Sequence, residues 1–219
     1  MNIRLPFILL LGRPGSGKSA IYKLLQEKFK KEDIADEFER IDDFPILKEL
    51  IDKDVEERRH IKKDGGFAVT DWSIIDEVLE VVNKRAFEKV KDRKIIFIEF
   101  ARAEYKKALN NFTEDFLNNS VILYVKVDFA KCLARNEERF RRAKEKNLDD
   151  HIVPPDLMRS YYKDDDIEKV LLEEGENKLR EYLPCDIFIL DNNVEGLDLL
   201  SENLDEFVEY YKGLIKDVN

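Results

Sequence analysis

Five short apolar runs punctuate the chain, at Pro6–Leu11, Phe38–Ile41, Lys94–Glu99, Val121–Val127 and Asp186–Leu190. Three of them, Phe7-Ile-Leu-Leu-Leu11, Ile95-Ile-Phe-Ile98 and Val121-Ile-Leu-Tyr-Val125, are continuous instead of alternating. A strand apolar at every position is buried on both faces, which is the situation of a parallel sheet covered by helices. Between the runs the spacing becomes helical. Gly17–Lys30 sets Ile21, Leu24, Leu25 and Phe29 on one stripe, with Lys28 among them. Ile74–Val90 carries Ile75, Val78, Leu79, Val82, Ala86 and Phe87, with Asp71 or Ser73 as its cap. Further helices are expected around Pro45–His60, Arg102–Leu117, Phe129–Lys146, Asp156–Tyr182 and Leu197–Ile215. This alternation predicts one doubly wound α/β domain over residues 1–219, undivided by repeats or linkers.

Composition narrows the partners more than the fold. Lys and Arg total 38 against 48 Asp and Glu, so the net charge of −10 opposes a nucleic-acid backbone unless the basic residues cluster. No apolar run has the length of a membrane span. Leu5–Leu11 reads as a buried strand and not as a signal-peptide core, because Pro6 interrupts it and no cleavage site follows. Cys132 and Cys185 form no C-x-x-C pair, and both read as buried thiols suited to a reducing cytoplasm. His60 and His151 are the only histidines, which excludes a histidine-rich metal site.

The first apolar run ends in Gly12, Arg13, Pro14, Gly15, Ser16, Gly17, Lys18 and Ser19, which satisfies G-x-x-x-x-G-K-[ST], and Ala20 follows in the helix. A buried strand, this loop and an amphipathic helix together make a phosphate cradle. Glycines let backbone N–H groups turn inward, and the helix N-terminus adds a favourable dipole. Lys18, read as a surface point charge, would reach the β- and γ-phosphates of ATP, and the Ser19 hydroxyl would bind Mg²⁺. The second metal-side candidate is Glu99, at the ligand edge of the third run, which would hold Mg²⁺ through a water or orient the acceptor. The plainer reading of Glu99 is an ordinary strand-end carboxylate.

These residues resemble P-loop kinases of the nucleoside and nucleoside-monophosphate kinase type. The resemblance implies a five-stranded parallel sheet with helices on both faces. It also implies an acceptor-binding insertion, here about 43–72, and an Arg-rich lid, here about 135–163. Asp42-Asp43-Phe44 is similar to the acidic segment of riboside kinases whose carboxylate takes or orients the acceptor hydroxyl proton. Asp42 is favoured over Asp43, and a helix cap ahead of Pro45 is the alternative. Trp72 lies in a segment similar to one bordering the acceptor pocket, although a core role is the plainer reading. Glu99-Phe-Ala-Arg102 is similar, one residue short, to the segment whose Arg grips an acceptor phosphate. Asp149-Asp150 with Arg159 is similar to the adenylate-kinase lid exit, without its preceding Arg. The loop Leu190-Asp-Asn-Asn193 corresponds to one near the adenine ring.

From Lys131 to Lys163 nine Lys or Arg face six Asp or Glu, a local charge of +3 in a chain of −10. Arg135, Arg139 and Arg142 share one helical face suited to phosphoryl oxygens. A solvated helix is the alternative, with Glu137–Arg141 and Glu138–Arg142 at pairing distance. Those pairs leave Arg135 and Arg139 for the lid role. The reading is therefore a Mg²⁺- and ATP-dependent transfer of the γ-phosphoryl group to a nucleoside, nucleoside monophosphate or related alcohol. It implies catalytic roles for Lys18, Asp42, Glu99, Arg135 and Arg139, and acceptor contacts from Asp42, Asp43, Trp72, Arg102 and Arg159. The expected state is a cytoplasmic monomer or homodimer with no nucleic acid and no membrane. A nucleotide switch acting on a partner protein and a polynucleotide 5′-kinase are the alternatives.

Overall fold

In the computed structural model residues 5–63, 66–146 and 153–216 are described, with positions 63, 66 and 143–146 described by backbone alone. The first half runs β1 (Phe7–Leu11), α1 (Lys18–Lys31), β2 (Glu37–Asp42), α2 (Asp43–Lys53), β3 (His60–Lys63), β4 (Gly66–Val69), α3 (Ser73–Glu88) and β5 (Lys94–Phe100). The second half runs α4 (Tyr105–Leu109), α5 (Glu114–Asn118), β6 (Ser120–Lys126), α6 (Phe129–Lys146), α7 (Pro155–Ser160), α8 (Asp166–Glu174), α9 (Glu176–Tyr182), β7 (Asp186–Asp191) and α10 (Leu197–Lys216).

Five strands form one parallel sheet in the order β2-β5-β1-β6-β7, so the expected α/β architecture is observed. The continuous apolar runs have the cause inferred for them. Phe7, Leu9 and Leu11 join Ile96, Ile98, Ile122 and Tyr124 in a core under α2, α3, α8 and α9. Ile8 and Leu10 point the other way, with Ile95, Phe97, Val121 and Leu123, into a second core under α1, α6 and α10. Successive side chains of a strand alternate faces, so two helical layers require both sets to be apolar. Each fully buried Leu, Ile or Phe contributes roughly 1.5–3 kcal/mol.

Three expected helices differ in extent. The helix expected around Pro45–His60 ends at Lys53, because the Asp54 carboxylate accepts from the backbone N–H groups of Arg58 and Arg59 and turns the chain. An unforeseen antiparallel hairpin, β3–β4, follows, with His60 paired to Val69 and buried while Ile61 is exposed. Arg102–Leu117 is two short helices, the second capped by Thr113, whose Oγ1 accepts from Phe116 N. Asp156–Tyr182 is three, divided where Asp165 caps α8 and where Gly175 adopts φ +86°. Asp71, one of the two expected caps, accepts from Ser73 N at the start of α3. Cys132 is buried as expected, whereas Cys185 is only partly so, and neither is in a disulfide. Among the described residues no helix is long and apolar enough to cross a membrane.

Candidate active site

The parallel sheet brings the C-terminal ends of β1, β2 and β5 to one edge, and the singled-out chemistry collects there. Gly12–Gly17 leaves β1, and α1 begins at Lys18. Gly15 has φ +86°, and a Cβ there would stand 2.5 Å from the Cys132 carbonyl oxygen, so α6 packs directly on the loop. Asn192, in the loop after β7, donates from Nδ2 to Ser16 O at 2.7 Å and braces the loop from the other side. That loop, which the resemblance assigns to the adenine side, thus has a contact with the phosphate cradle. Lys18 is not the surface charge expected from sequence. It is 7% exposed, and Nζ donates to Gly12 O at 2.7 Å and Arg13 O at 3.0 Å. Burial lowers its pKa, partly offset by Glu99, whose Oε1 is 3.9 Å away.

Register supplies the acidic edge. Asp42 on β2 is the direct partner of Glu99 on β5. Burial pushes the Glu99 carboxyl up, against the opposing fields of Lys18 and Arg40. Asp42 is also the helix cap that the sequence left as an alternative, since Oδ1 accepts from Phe44 N at 3.1 Å. Its Oδ2 accepts from Arg40 Nη2 at 3.0 Å. Arg40 Nη1 donates to Ser19 Oγ at 3.3 Å, and Arg40 Nε lies 3.0 Å from Glu99 Oε2 as an ion pair without hydrogen-bond alignment. Oxygens of Ser19, Asp42 and Glu99 therefore converge on a single cationic group. Hard oxygen donors converging on a cation fit Mg²⁺, which takes one or two carboxylates and completes its shell with phosphate and water.

A cavity of about 490 Å³ extends from this edge. Its phosphate end is lined by Pro14, Gly15, Gly17, Lys18, Ser19 and Ala20, and its far end by Asp42, Asp43, Phe44, Trp72, Arg102, Tyr161 and Tyr162, among others. Arg102 is buried, and its Nη1 lies 2.7 Å from Asp43 Oδ2 and donates to Ala101 O at 2.7 Å. Its Nε and Nη2 are buried without a hydrogen-bond partner. Burial opposes the Arg102 charge, yet Asp43 outweighs it and the pKa is raised. A buried guanidinium with two unpartnered nitrogens beside a cavity is equipped to grip an anion. Trp72 is 50% exposed and stacks on Tyr161 at 5.2 Å, so it is a wall of the cavity and not a core residue.

Arg135 and Arg139, on α6, line the cavity above the loop, and Arg135 Nη1 approaches Gly15 O at 3.4 Å. Arg142 also lines it, while both Arg142 and Arg141 pair with Glu138. Arg159, expected at the acceptor, is elsewhere. It is half-exposed and pairs with Glu137 of α6 and Asp156 of its own turn. That pairing takes the place of the expected Glu137–Arg141 contact. Asp149 and Asp150 lie outside the described residues.

Arg13 does not line the cavity. Its side chain is 4% exposed and turns away, donating to Tyr162 O at 3.0 Å, Lys163 O at 3.0 Å and Val127 O at 3.3 Å, and pairing with Glu168 and Asp165. Burial opposes its charge, but the Glu168 hydrogen bond and Asp165 more than compensate and raise its pKa. Tyr124 OH donates to Asp165 Oδ2 at 2.8 Å, and Gly12 N donates to Tyr105 OH at 3.0 Å. Sequence reasoning missed Arg40 and Tyr162, and although it singled out the loop holding Asn192 it did not foresee that residue's contact with Ser16. For Arg40 a signal existed: it is two residues before Asp42 in a strand, hence on the same face.

The fold is similar to those of two solved kinases. Over 99% of both chains it matches a gluconokinase from Sinorhizobium meliloti 1021, with TM-score 0.54 and 13% identity. It also matches the APS kinase CysC of Mycobacterium tuberculosis, in complex with AMPPNP and APS, with TM-score 0.56 and 12% identity over 94% of this chain and 98% of that one. At such identities the likeness is one of fold. No family model matches the chain, and no curated protein does.

Proposed function

We propose that the protein is an ATP-dependent kinase whose acceptor is a small alcohol carrying an anionic group. The observation that carries this reading is the single cavity joining the phosphate loop to Asp42 and to the buried Arg102 with its two unpartnered nitrogens. A nucleotide switch needs no such second compartment. A strand of nucleic acid needs a basic track, which the net charge of −10 argues against.

In this reading the loop amides and Lys18 hold the ATP phosphates, and Lys18 exchanges its two carbonyl partners for phosphate oxygens. Ser19 and Glu99 would hold Mg²⁺, which neutralises phosphate charge when bound. The acceptor's anion sits on Arg102, and its carbon skeleton lies against Phe44, Trp72 and Tyr161. That directs its hydroxyl toward Asp42, whose Oδ1 is fixed by Phe44 N while Oδ2 takes the proton as the new O–P bond forms. The γ-phosphorus–oxygen bond to ADP breaks in the same displacement. Arg135 and Arg139 offset charge on the transferring oxygens. The described residues of about 43–72 are then the acceptor arm, and those of about 135–163 are the arm over the nucleotide, with 64–65 and 147–152 outside the described residues.

The test is a transfer assay with ATP and matched acceptors, hydroxy acids and nucleoside monophosphates against their neutral analogues. Phosphorylated product is identified by mass. Anionic members should be preferred, and Arg102→Leu should raise their KM about 10- to 100-fold while leaving the ATP KM unchanged. Equal use of neutral acceptors, with no KM change in the variant, would reject the anionic assignment.

A further inference from the structure

The position where oxygens of Ser19, Asp42 and Glu99 converge is taken by the protein's own guanidinium. Arg40 reaches all three, at 3.3 Å from Ser19 Oγ, 3.0 Å from Asp42 Oδ2 and 3.0 Å from Glu99 Oε2. Its planar fork can serve three oxygens at once, as a lysine ammonium on the same strand could not. Two features show that the arrangement is not a closed structural ion pair. Glu99 Oε2 is buried yet receives no aligned hydrogen bond, so Arg40 supplies it charge without satisfying its lone pairs. Arg40 itself is 29% exposed on β2, the end strand of the sheet, and packs only loosely on the Tyr22 ring at 6.0 Å, so the guanidinium has solvent into which it can swing.

We infer that Arg40 is a tethered counter-cation of the metal position. It neutralises Asp42 and Glu99 in the absence of substrate and is displaced when a divalent cation arrives with nucleotide phosphates. Two consequences follow for this chain's residues. The carboxylates are held together at the sheet edge without a metal, and free divalent cations meet a competitor there. The protein would therefore select a cation already attached to nucleotide, whose phosphates add the attraction needed to move Arg40. With the cation held by Ser19 and Glu99, departure of Arg40 leaves Asp42 Oδ2 without its guanidinium partner, so loading of the metal position and release of the acceptor's base become one event. That last step rests on the kinase reading, whereas competition for the cation does not.

The experiment titrates the full chain with Mn²⁺ alone, free of nucleotide, and reads free Mn²⁺ by paramagnetic resonance. Arg40→Met removes the competing charge and leaves the Ser19, Asp42 and Glu99 oxygens in place, with Lys18, 3.9 Å from Glu99 Oε1, as the remaining counter-charge. It should bind Mn²⁺ at least about tenfold more tightly than wild type, a difference of about 1.4 kcal/mol. A residue that merely supports the strand would give equal or weaker binding on removal, and either result overturns the inference. Should Arg40→Met not fold, Arg40→Lys is read in its place. A point charge cannot span the three oxygens, so a gain of about threefold is expected, and an affinity equal to wild type overturns the inference. Because this comparison contains no nucleotide, failure of wild type to bind an ATP analogue would reject the kinase reading and not this one.

Discussion

Arg13 Nη2 lies 3.5 Å from Asp165 Oδ2, with both side chains almost wholly withdrawn from water. The pair joins the phosphate loop to the start of α8, and the same guanidinium holds the carbonyls of Tyr162 and Lys163 just before it. The rings of Tyr161 and Tyr162 line the cavity, so Arg13 sets one wall of the site from behind. The motif string treats position 13 as arbitrary, yet here it carries buried contacts that tie the loop to α8.

Breaking this pair should be costly. Arg13→Leu leaves Asp165 buried without its cation, and a broken buried pair costs about 3–5 kcal/mol. Chemical denaturation should show a loss of that size. A loss under about 1 kcal/mol, the range of exposed pairs, would mean that the cluster is solvated.

The cluster should also impose a pH dependence. Burial pushes the Asp165 carboxyl up to about 6, from 3.8, with Glu168 N, Arg13 and Tyr124 opposing. A carboxyl with a raised folded-state pKa binds more protons folded than unfolded between those values. Its contribution to stability is therefore largest at low pH and falls as pH rises through that window. The melting temperature of wild type minus that of Asp165→Asn should decrease between about pH 4 and pH 7. A flat or rising difference would show that Arg13 dominates the titration.

The sheet was legible because its central strands are apolar at every position, a pattern that only burial on both faces explains. The phosphate loop, Asp42 and Glu99 were legible because a parallel sheet must gather strand ends at one edge. What escaped depends on register or on contacts between distant segments. The strands of the hairpin are four residues each, and His60-Ile-Lys-Lys63 has too few positions to display a period. Arg159 falls near the lid in sequence, but Glu137 on the facing helix claims it. The unpartnered nitrogens of Arg102 show only in the fold, where Asp43 and the Ala101 carbonyl both engage Nη1.

Lys18 offers a separation of binding from stability. Its ammonium is buried and its pKa is lowered by burial, so its charge does not favour folding. Lys18→Met should abolish ATP binding in calorimetry while leaving the melting temperature unchanged or higher. A large fall in melting temperature would make the two carbonyl contacts structural.

Arg139 and Arg159 should part company. Arg139 lines the cavity and is exposed, whereas Arg159 is held by Glu137 and Asp156 outside it. Arg139→Ala should lower the transfer rate more than it weakens ATP binding, with little change in stability. Arg159→Ala should leave acceptor KM and kcat near wild type. A raised acceptor KM in Arg159→Ala would return that residue to the site.

In the proposed reaction one cavity serves both a nucleotide and an acceptor whose hydroxyl is handed to Asp42. The most direct test is ADP release from Mg·ATP by wild type and Asp42→Asn, with and without the anionic acceptors. Wild type should release ADP far faster with an acceptor than without. Asp42→Asn should lose about 10²- to 10⁴-fold of that acceptor-dependent rate while still binding ATP. ADP release that is slow and indifferent to every acceptor, or unchanged in Asp42→Asn, would contradict the account.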